Sequence, residues 1–160
     1  MTGERDFYTF RGYLMMPGEQ KMTPSMEDYL EMIYRLHSQQ THVRTTQLAE
    51  RLNVRASSVT KTVQKLAGLG LLNYEKYGLI CLTKKGEKLG KFLLKRHITI
   101  ESFFRLIGVK ESTILRDTEM IEHHLSPNAF NRIKLLYQFL KTHPDVLRKF
   151  NRYKNESQGR

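Results

Sequence analysis

Two carboxylates and an imidazole stand close together in the stretch "TEMIEHHLS", residues 118–126. At roughly 100° of rotation per helical residue, Glu119, Glu122 and His123 fall within about a third of the helix circumference. On the other side, Ile121 and Leu125 have the i, i+4 spacing of a helix face that packs on a core. The three polar residues are therefore either a solvated face or part of a metal site. A metal site would need further ligands from elsewhere in the chain, because three side chains rarely complete a coordination sphere.

Side chains of the same chemistry occur on two other predicted helices. Asp28 and Glu31 lie at i, i+3 in "TPSMEDYLEMIY", and His97 lies within "LLKRHITIE". Taken alone, they read as a helix cap, a surface charge and a packed histidine. Glu101, one turn after His97, either orients its imidazole or forms a plain i, i+4 surface pair. Without Glu101, the candidate ligands on the three helices are four carboxylates and two imidazoles. This is a hard set of ligands, which suits Mn²⁺ better than a tetrahedral zinc site.

The charge of the chain is strongly positive and unevenly distributed. The 160 residues have a net charge of +11, and residues 41–100 carry twelve Lys and Arg against three acids. Residues 1–40 and 101–125 are each net negative, at −2. A basic block between acidic ones favours a polyanion-binding protein, with nucleic acid as the first partner to consider and a membrane surface as the second.

Composition narrows the class of protein. Hydrophobic residues make up 39% of the chain and charged residues 27%, as in folded globular proteins. No apolar run approaches the ~18 residues that span a bilayer, and the N-terminal stretch lacks the apolar core of a secretory signal. The single cysteine, Cys81, excludes an internal disulfide and a thiolate cluster. We therefore expect a cytoplasmic protein that is not inserted in a membrane.

Residues 43–83 carry the pattern of a winged helix-turn-helix. Thr45 to Leu52 predicts a short helix, Asn53-Val54 a tight turn, and residues 56–67 a second helix. The following "LLNYEKYGLICLT" alternates and has a glycine at its bend, which predicts a two-stranded wing.

The outward face of that second helix is polar and basic and carries no acid, which suits phosphate oxygens and base edges. The candidate DNA contacts are Ser57, Ser58, Thr60, Lys61, Gln64 and Lys65. Lys76 and Tyr77, at the tip of the predicted wing, are candidate contacts to the DNA backbone or the minor groove.

These motifs together resemble the manganese-responsive branch of the diphtheria-toxin-repressor (iron-dependent repressor) family. The matching stretches, in unbroken order over about residues 22–140, are "TPSMEDYLEMIY", "SSVTKTVQKL", "YEKYGLICLT", "RHITIESFFRLIGV" and "IEHHLS". The resemblance implies a winged-helix domain, a long helix and a helical dimerisation domain, with a divalent-metal site between the domains. It also implies repression of manganese-uptake genes when Mn²⁺ is plentiful.

The same resemblance implies ligand roles for all six residues: Asp28, Glu31, His97, Glu119, Glu122 and His123. Iron-sensing relatives typically have Met in place of Asp28 and Cys in place of Glu119, so this chain has the harder ligand at both positions. The implied cofactor is Mn(II), one or two ions per subunit, and Cd, Zn, Fe or Co are other divalent ions that could bind. The implied partners are double-stranded operator DNA and a second copy of the chain, with no membrane and no small-molecule substrate.

The predicted fold is mainly α, in three parts. Residues 1–21 form an N-terminal extension outside the core. Residues 22–92 form the winged-helix DNA-binding domain, with three helices and a two-stranded wing. Residues 93–160 form the all-α metal-binding and dimerisation domain. A long helix that ends at Gly108 joins it to the winged-helix domain.

Two other functions stay open at this point. The first is a winged-helix regulator whose acidic cluster only solvates its helices. The second is a carboxylate-bridged metalloenzyme, because Glu and His also build hydrolytic and di-iron centres. We do not expect an enzyme, since the sequence offers no nucleophile constellation, phosphate loop or obvious substrate pocket.

Overall fold

The computed structural model describes residues 22–40, 42–75 and 78–158. Within these ranges the chain forms seven helices and three strands, and no described helix is long and apolar enough to cross a bilayer. In order they are α1 (Pro24–His37), β1 (Val43–Arg44), α2 (Thr45–Leu52), α3 (Ala56–Gly68), β2 (Leu72–Tyr74), β3 (Leu79–Leu82), α4 (Lys84–Ile107), α5 (Glu111–Glu122), α6 (Pro127–Thr142) and α7 (Pro144–Gln158). The predicted winged helix followed by an all-helical region is confirmed. The predicted extension, residues 1–21, lies outside the described residues.

The helix-turn-helix forms where the sequence predicts it. Asn53 ends α2 in the left-handed conformation, with a φ of 52°, which an asparagine tolerates better than most side chains. Val59, Val63 and Leu66 on α3 are fully buried. They pack into a core that also takes residues from α1, α2, the strands and the first half of α4. The opposite face of α3 is consequently turned to solvent.

The sheet has one strand more than the predicted wing. β3 lies in the centre and pairs antiparallel with β2 on one side and β1 on the other. Ile80 of β3 lies opposite both Val43 and Tyr74 and is fully buried. β1 is only two residues long, too short for an alternation of polar and apolar residues to predict it.

The long helix α4 joins the two halves of the molecule. It starts after Thr83, which caps it, and ends at Gly108, whose φ of 87° favours glycine. A Cβ on Gly90 would lie 2.7 Å from the Cβ of Tyr34 on α1, so glycine allows the two helices to pack closely. This packing brings the acids of α1 toward the middle of α4.

The predicted core face of α5 is wrong. The buried residues of this helix are Ile114, Thr118 and Glu122, at successive i, i+4 steps. Ile121 and Leu125, predicted to face the core, are only half-buried. The reason is that Glu122 pairs with His97 on α4. This partner allows a carboxylate to be buried on a side of α5 that the pattern of apolar residues assigns to solvent.

Candidate metal centre and recognition helix

The six candidate ligands meet where α1, α4 and the C-terminal end of α5 come together. Their ligand atoms form two triads, and within each triad all of them lie within 4.8 Å of one another. The triads are Asp28, Glu119 and His123 in one, and Glu31, His97 and Glu122 in the other. The structure therefore brings all six residues together, and each triad combines α1 with the helices that follow the wing.

The two triads adjoin each other through two glutamates. Glu122 Oε1 lies 3.1 Å from His97 Nδ1 and 3.8 Å from His123 Nε2. Glu119 reaches the same two imidazoles, with distances of 3.6 Å to His97 Nδ1 and 3.9 Å to His123 Nε2. Either carboxylate could consequently serve ions on both sides.

Buried atoms without partners fit a cation at this cluster. Glu122 is fully buried and His97 is 4% exposed. Among the described residues, Glu122 Oε2 and His123 Nε2 are two of four buried side-chain atoms without a hydrogen-bond partner, and Arg96 Nε lies 3.8 Å from Glu122 Oε2. Asp28 Oδ1 lies 2.7 Å from His123 Nε2, but the two atoms are not aligned for a hydrogen bond. Unpaired buried polar atoms are costly, and a hard divalent ion would satisfy both the oxygen and the nitrogen.

The imidazoles of the cluster hold protons tightly when no cation is bound. Burial lowers the pKa of His123, but the surrounding carboxylates outweigh burial and raise that pKa to about 11. Burial also opposes the charged form of His97, whereas Glu122 and neighbouring acids raise its pKa. The pKa of Glu31 is raised, mainly because the carboxyl is buried. A metal ion at these ligands must therefore displace protons.

Two residues of the site were missed by the sequence analysis. Glu27 Oε2 lies 2.6 Å from Arg96 Nη2 and 2.8 Å from His123 Nδ1. Arg96 itself is 8% exposed. The sequence offered one signal for them, since Glu27 precedes Asp28 and Arg96 precedes His97. That signal is weak, because adjacent residues on a helix point in different directions.

Two ion pairs border the cluster. Arg35 donates from Nε and Nη2 to Glu31 Oε1, at 2.9 and 2.6 Å. Glu101 accepts from Arg105 at 2.9 Å, and its Oε2 is 3.8 Å from His97 Nε2. Glu101 is therefore hydrogen-bonded to Arg105, while its contact with the His97 imidazole, at 3.8 Å, is too long for a hydrogen bond.

The cluster is reached through a cavity of about 400 Å³. Four candidate ligands line it, together with apolar side chains and two arginines: Asp28, Glu31, Met32, Arg35, Arg51, Leu52, His97, Leu115 and Glu119. Ligand oxygens are thus accessible from one side while Glu122 stays buried.

The face of α3 predicted to contact DNA is open to solvent. Ser57, Ser58, Lys61, Gln64 and Lys65 are exposed. Thr60 is half-buried, and its hydroxyl donates to the Ala56 carbonyl at 3.2 Å. The wing-tip candidates Lys76 and Tyr77 lie outside the described residues. The DNA contacts of all eight residues remain predictions.

The two halves of the chain match two adjacent family models. Residues 21–79 match the N-terminal DNA binding domain of the iron dependent repressors, and residues 83–151 match the metal binding and dimerisation domain of the same family.

Comparison with individual proteins agrees with these two family matches. The chain is 50% identical over 134 residues to the HTH-type transcriptional regulator MntR of Lysinibacillus sphaericus (strain C3-41), covering 84% of this chain and 96% of that protein. The structure of the manganese regulator SloR superposes with a TM-score of 0.64 at 32% identity, covering 74% of this chain and 55% of that one. For ScaR with bound Zn²⁺ the TM-score is 0.60 at 29% identity, covering 71% and 54%. The chain thus spans just over half the length of these two solved proteins. By sequence and by fold, the chain belongs to the iron-dependent repressor family of transcriptional regulators.

Proposed function

We propose that this protein is a Mn²⁺-activated repressor that binds operator DNA as a homodimer in the cytoplasm. One observation supports this most strongly: the ligand cluster draws on both domains. Asp28 and Glu31 belong to the region that matches the DNA-binding domain, and the other four ligands belong to the region that matches the metal-binding and dimerisation domain. A cation held by both sets would join the two domains.

The six ligands would hold one or two ions, with Glu119 and Glu122 placed between the imidazoles. When bound, a divalent cation neutralises the clustered carboxylates, which otherwise repel one another. Because α1 packs against α2 and α3, fixing α1 against α4 and α5 would also fix α3, the proposed recognition helix. A dimer must present its two recognition helices at the spacing of successive half-sites, so this constraint would raise DNA affinity.

We assign Mn²⁺ as the main effector because four of the six ligands are carboxylates and none is sulfur. The regulated genes would then be those for manganese uptake, repressed when the ion is plentiful. Zn²⁺, Cd²⁺, Fe²⁺ and Co²⁺ could occupy the same ligands with different consequences for DNA affinity. The similar protein ScaR is known with bound Zn²⁺.

An apolar face of α6 is the surface we assign to the dimer. Leu135, Leu136 and Phe139 are 56%, 47% and 44% exposed, and Phe92 of α4 is 45% exposed. Leu135, Leu136 and Phe139 lie within about 100° of the α6 circumference, and contiguous exposed apolar patches of this kind mark interaction sites. The region matched by the dimerisation model includes all four residues.

The direct test is binding of the protein to the promoter of its host's manganese-transporter gene, with and without Mn²⁺. We expect tight binding only with the ion. Equal affinity in metal-free and Mn²⁺-loaded protein would favour the winged-helix regulator whose acids merely solvate its helices. The metalloenzyme alternative is set aside, because the family consists of repressors.

A double variant, Asp28→Met with Glu119→Cys, tests the choice of ion. It replaces two hard oxygen ligands by sulfur, so metal-dependent DNA binding should persist while its response shifts from Mn²⁺ toward Fe²⁺ and Co²⁺. Titration of operator binding with each ion measures the shift. An unchanged Mn²⁺ curve would remove both residues from the ligand set.

A further inference from the structure

Glu27 lies outside the candidate ligand set, yet it contacts one of its imidazoles. Its Oε2 lies 2.8 Å from His123 Nδ1, on the opposite side of the ring from the nitrogen that faces Asp28. A carboxylate oxygen can only accept, so Nδ1 must carry the proton of this bond. When the ring loses its second proton to bind a cation, the lone pair is therefore on Nε2, the nitrogen that faces Asp28 and Glu119 of the triad.

Arg96 holds the Glu27 carboxylate in turn. Its Nη2 donates to the same Oε2 at 2.6 Å and lies 3.2 Å from His123 Nδ1. The Arg96 and His123 side chains are 9% and 6% exposed, and that of Glu27 is 19% exposed. The three groups therefore form a largely buried network that joins α1, α4 and the end of α5.

We propose that Glu27 and Arg96 are positioning residues for the metal centre: Glu27 fixes the His123 ring with Nε2 directed at the ion, and Arg96 fixes Glu27. The proposal rests on the proposed metal function of His123. A carboxylate on the second nitrogen of a metal-binding imidazole sets the orientation of the ring and makes its other nitrogen a better donor. The Arg96 charge beside a cation site is tolerable because Glu27 neutralises it.

The test is the double variant Glu27→Gln with Arg96→Met, which keeps the net charge of the pair at zero. Glu122, whose Oε2 lies 3.8 Å from Arg96 Nε, keeps its His97 partner in this variant. Its control is Glu101→Gln with Arg105→Met, which removes a more exposed Arg–Glu pair on α4 whose Glu101 lies 3.8 Å from His97 Nε2 without a hydrogen bond to it. Mn²⁺ affinity is measured without DNA, from the electron paramagnetic resonance signal of the free ion. Thermal melting of the metal-free proteins checks folding.

We expect the Glu27/Arg96 variant to bind Mn²⁺ about tenfold more weakly than the parent, and the control to stay within about twofold. Nitrogen-15 spectra of the Zn²⁺-loaded parent should show His123 bound through Nε2 with a proton on Nδ1. In the variant this exclusive arrangement should be lost, a change that a purely structural role would not produce.

Parent-like Mn²⁺ affinity in a folded Glu27/Arg96 variant would overturn the positioning role and leave the proposed function intact. Equal weakening of Mn²⁺ binding by the control variant would overturn the positioning role as well. A parent that binds no Mn²⁺ would instead refute the proposed metal function, and the positioning role with it.

Discussion

The exposed face of α3 and the ligand cluster differ in burial, in charge and in how the fold builds them. The α3 face comes from one short helix, carries Lys61 and Lys65, and lies in solvent. The cluster comes from three helices, is dominated by carboxylates, and includes a fully buried Glu122. The first surface needs only its own helix to exist, whereas the second exists only when α1, α4 and α5 are held together.

This difference explains how one site could control the other. The exposed lysines of α3 attract DNA phosphates whatever the position of the helix in the dimer. This sequence-independent part of the DNA affinity therefore does not depend on metal. Under the proposed function the cluster would be the element with two states, because its carboxylates repel one another until a cation or protons neutralise them. Mn²⁺ would therefore regulate the placement of α3 while leaving the chemistry of its surface unchanged.

The largest effect should come from removing a ligand. His123→Ala deletes a donor from one triad and should abolish the Mn²⁺ response of operator binding in gel-shift titrations. His124→Ala is the matched control, since that neighbour is outside both triads, and it should respond as the parent does. Retention of a full Mn²⁺ response by His123→Ala would reduce the cluster to ordinary helix packing.

Proton competition should be the next largest effect. His123 has a raised pKa of about 11, so it is protonated throughout the neutral range, and the ion binds only the unprotonated ring. Mn²⁺ affinity should rise with pH, about tenfold per unit for each proton displaced. Calorimetry in buffers of different ionisation heat counts those protons. A Mn²⁺ affinity that is flat between pH 6 and pH 8 would contradict the role of His123.

A smaller, uniform effect is expected on the exposed face. Lys61→Ala with Lys65→Ala should weaken binding to all DNA sequences and lower the salt slope by about one unit for each phosphate that is no longer neutralised. Lys110→Ala with Lys141→Ala removes two exposed lysines outside α3 and serves as the control. If the α3 variant keeps the parent's affinity and slope, the recognition face is misassigned. The Mn²⁺ midpoint should not move in either variant.

The smallest effect concerns Arg35. Because it donates two hydrogen bonds to Glu31, it competes with a cation for that carboxylate. Arg35→Met should tighten Mn²⁺ binding by about two- to fivefold, the range expected for a partly exposed ion pair. Arg51→Met, on the rim of the same cavity, measures the general effect of removing a positive charge. Weaker Mn²⁺ binding on Arg35→Met would mean that the pair supports the site.

Sequence periodicity predicted the helix-turn-helix and the polar face of α3, because both depend on interactions within a few residues. It could not predict that Glu27 bonds to Arg96, 69 residues away, since helical spacing carries no information on which helices meet. The prediction for the buried face of α5 failed for a related reason: Glu122 is buried by its partners on α4. The short strand β1 was missed because it owes its existence to pairing with β3.

We propose that the six side chains of the two triads hold the metal at the junction of the two domains. Anomalous X-ray diffraction at the manganese absorption edge, on crystals of the Mn²⁺-loaded protein, tests it directly. We expect one or two anomalous peaks coordinated by Asp28 and Glu31 of α1 together with ligands from α4 and α5. Manganese bound elsewhere, or bound by one domain alone while the six side chains pair only with each other, would contradict it.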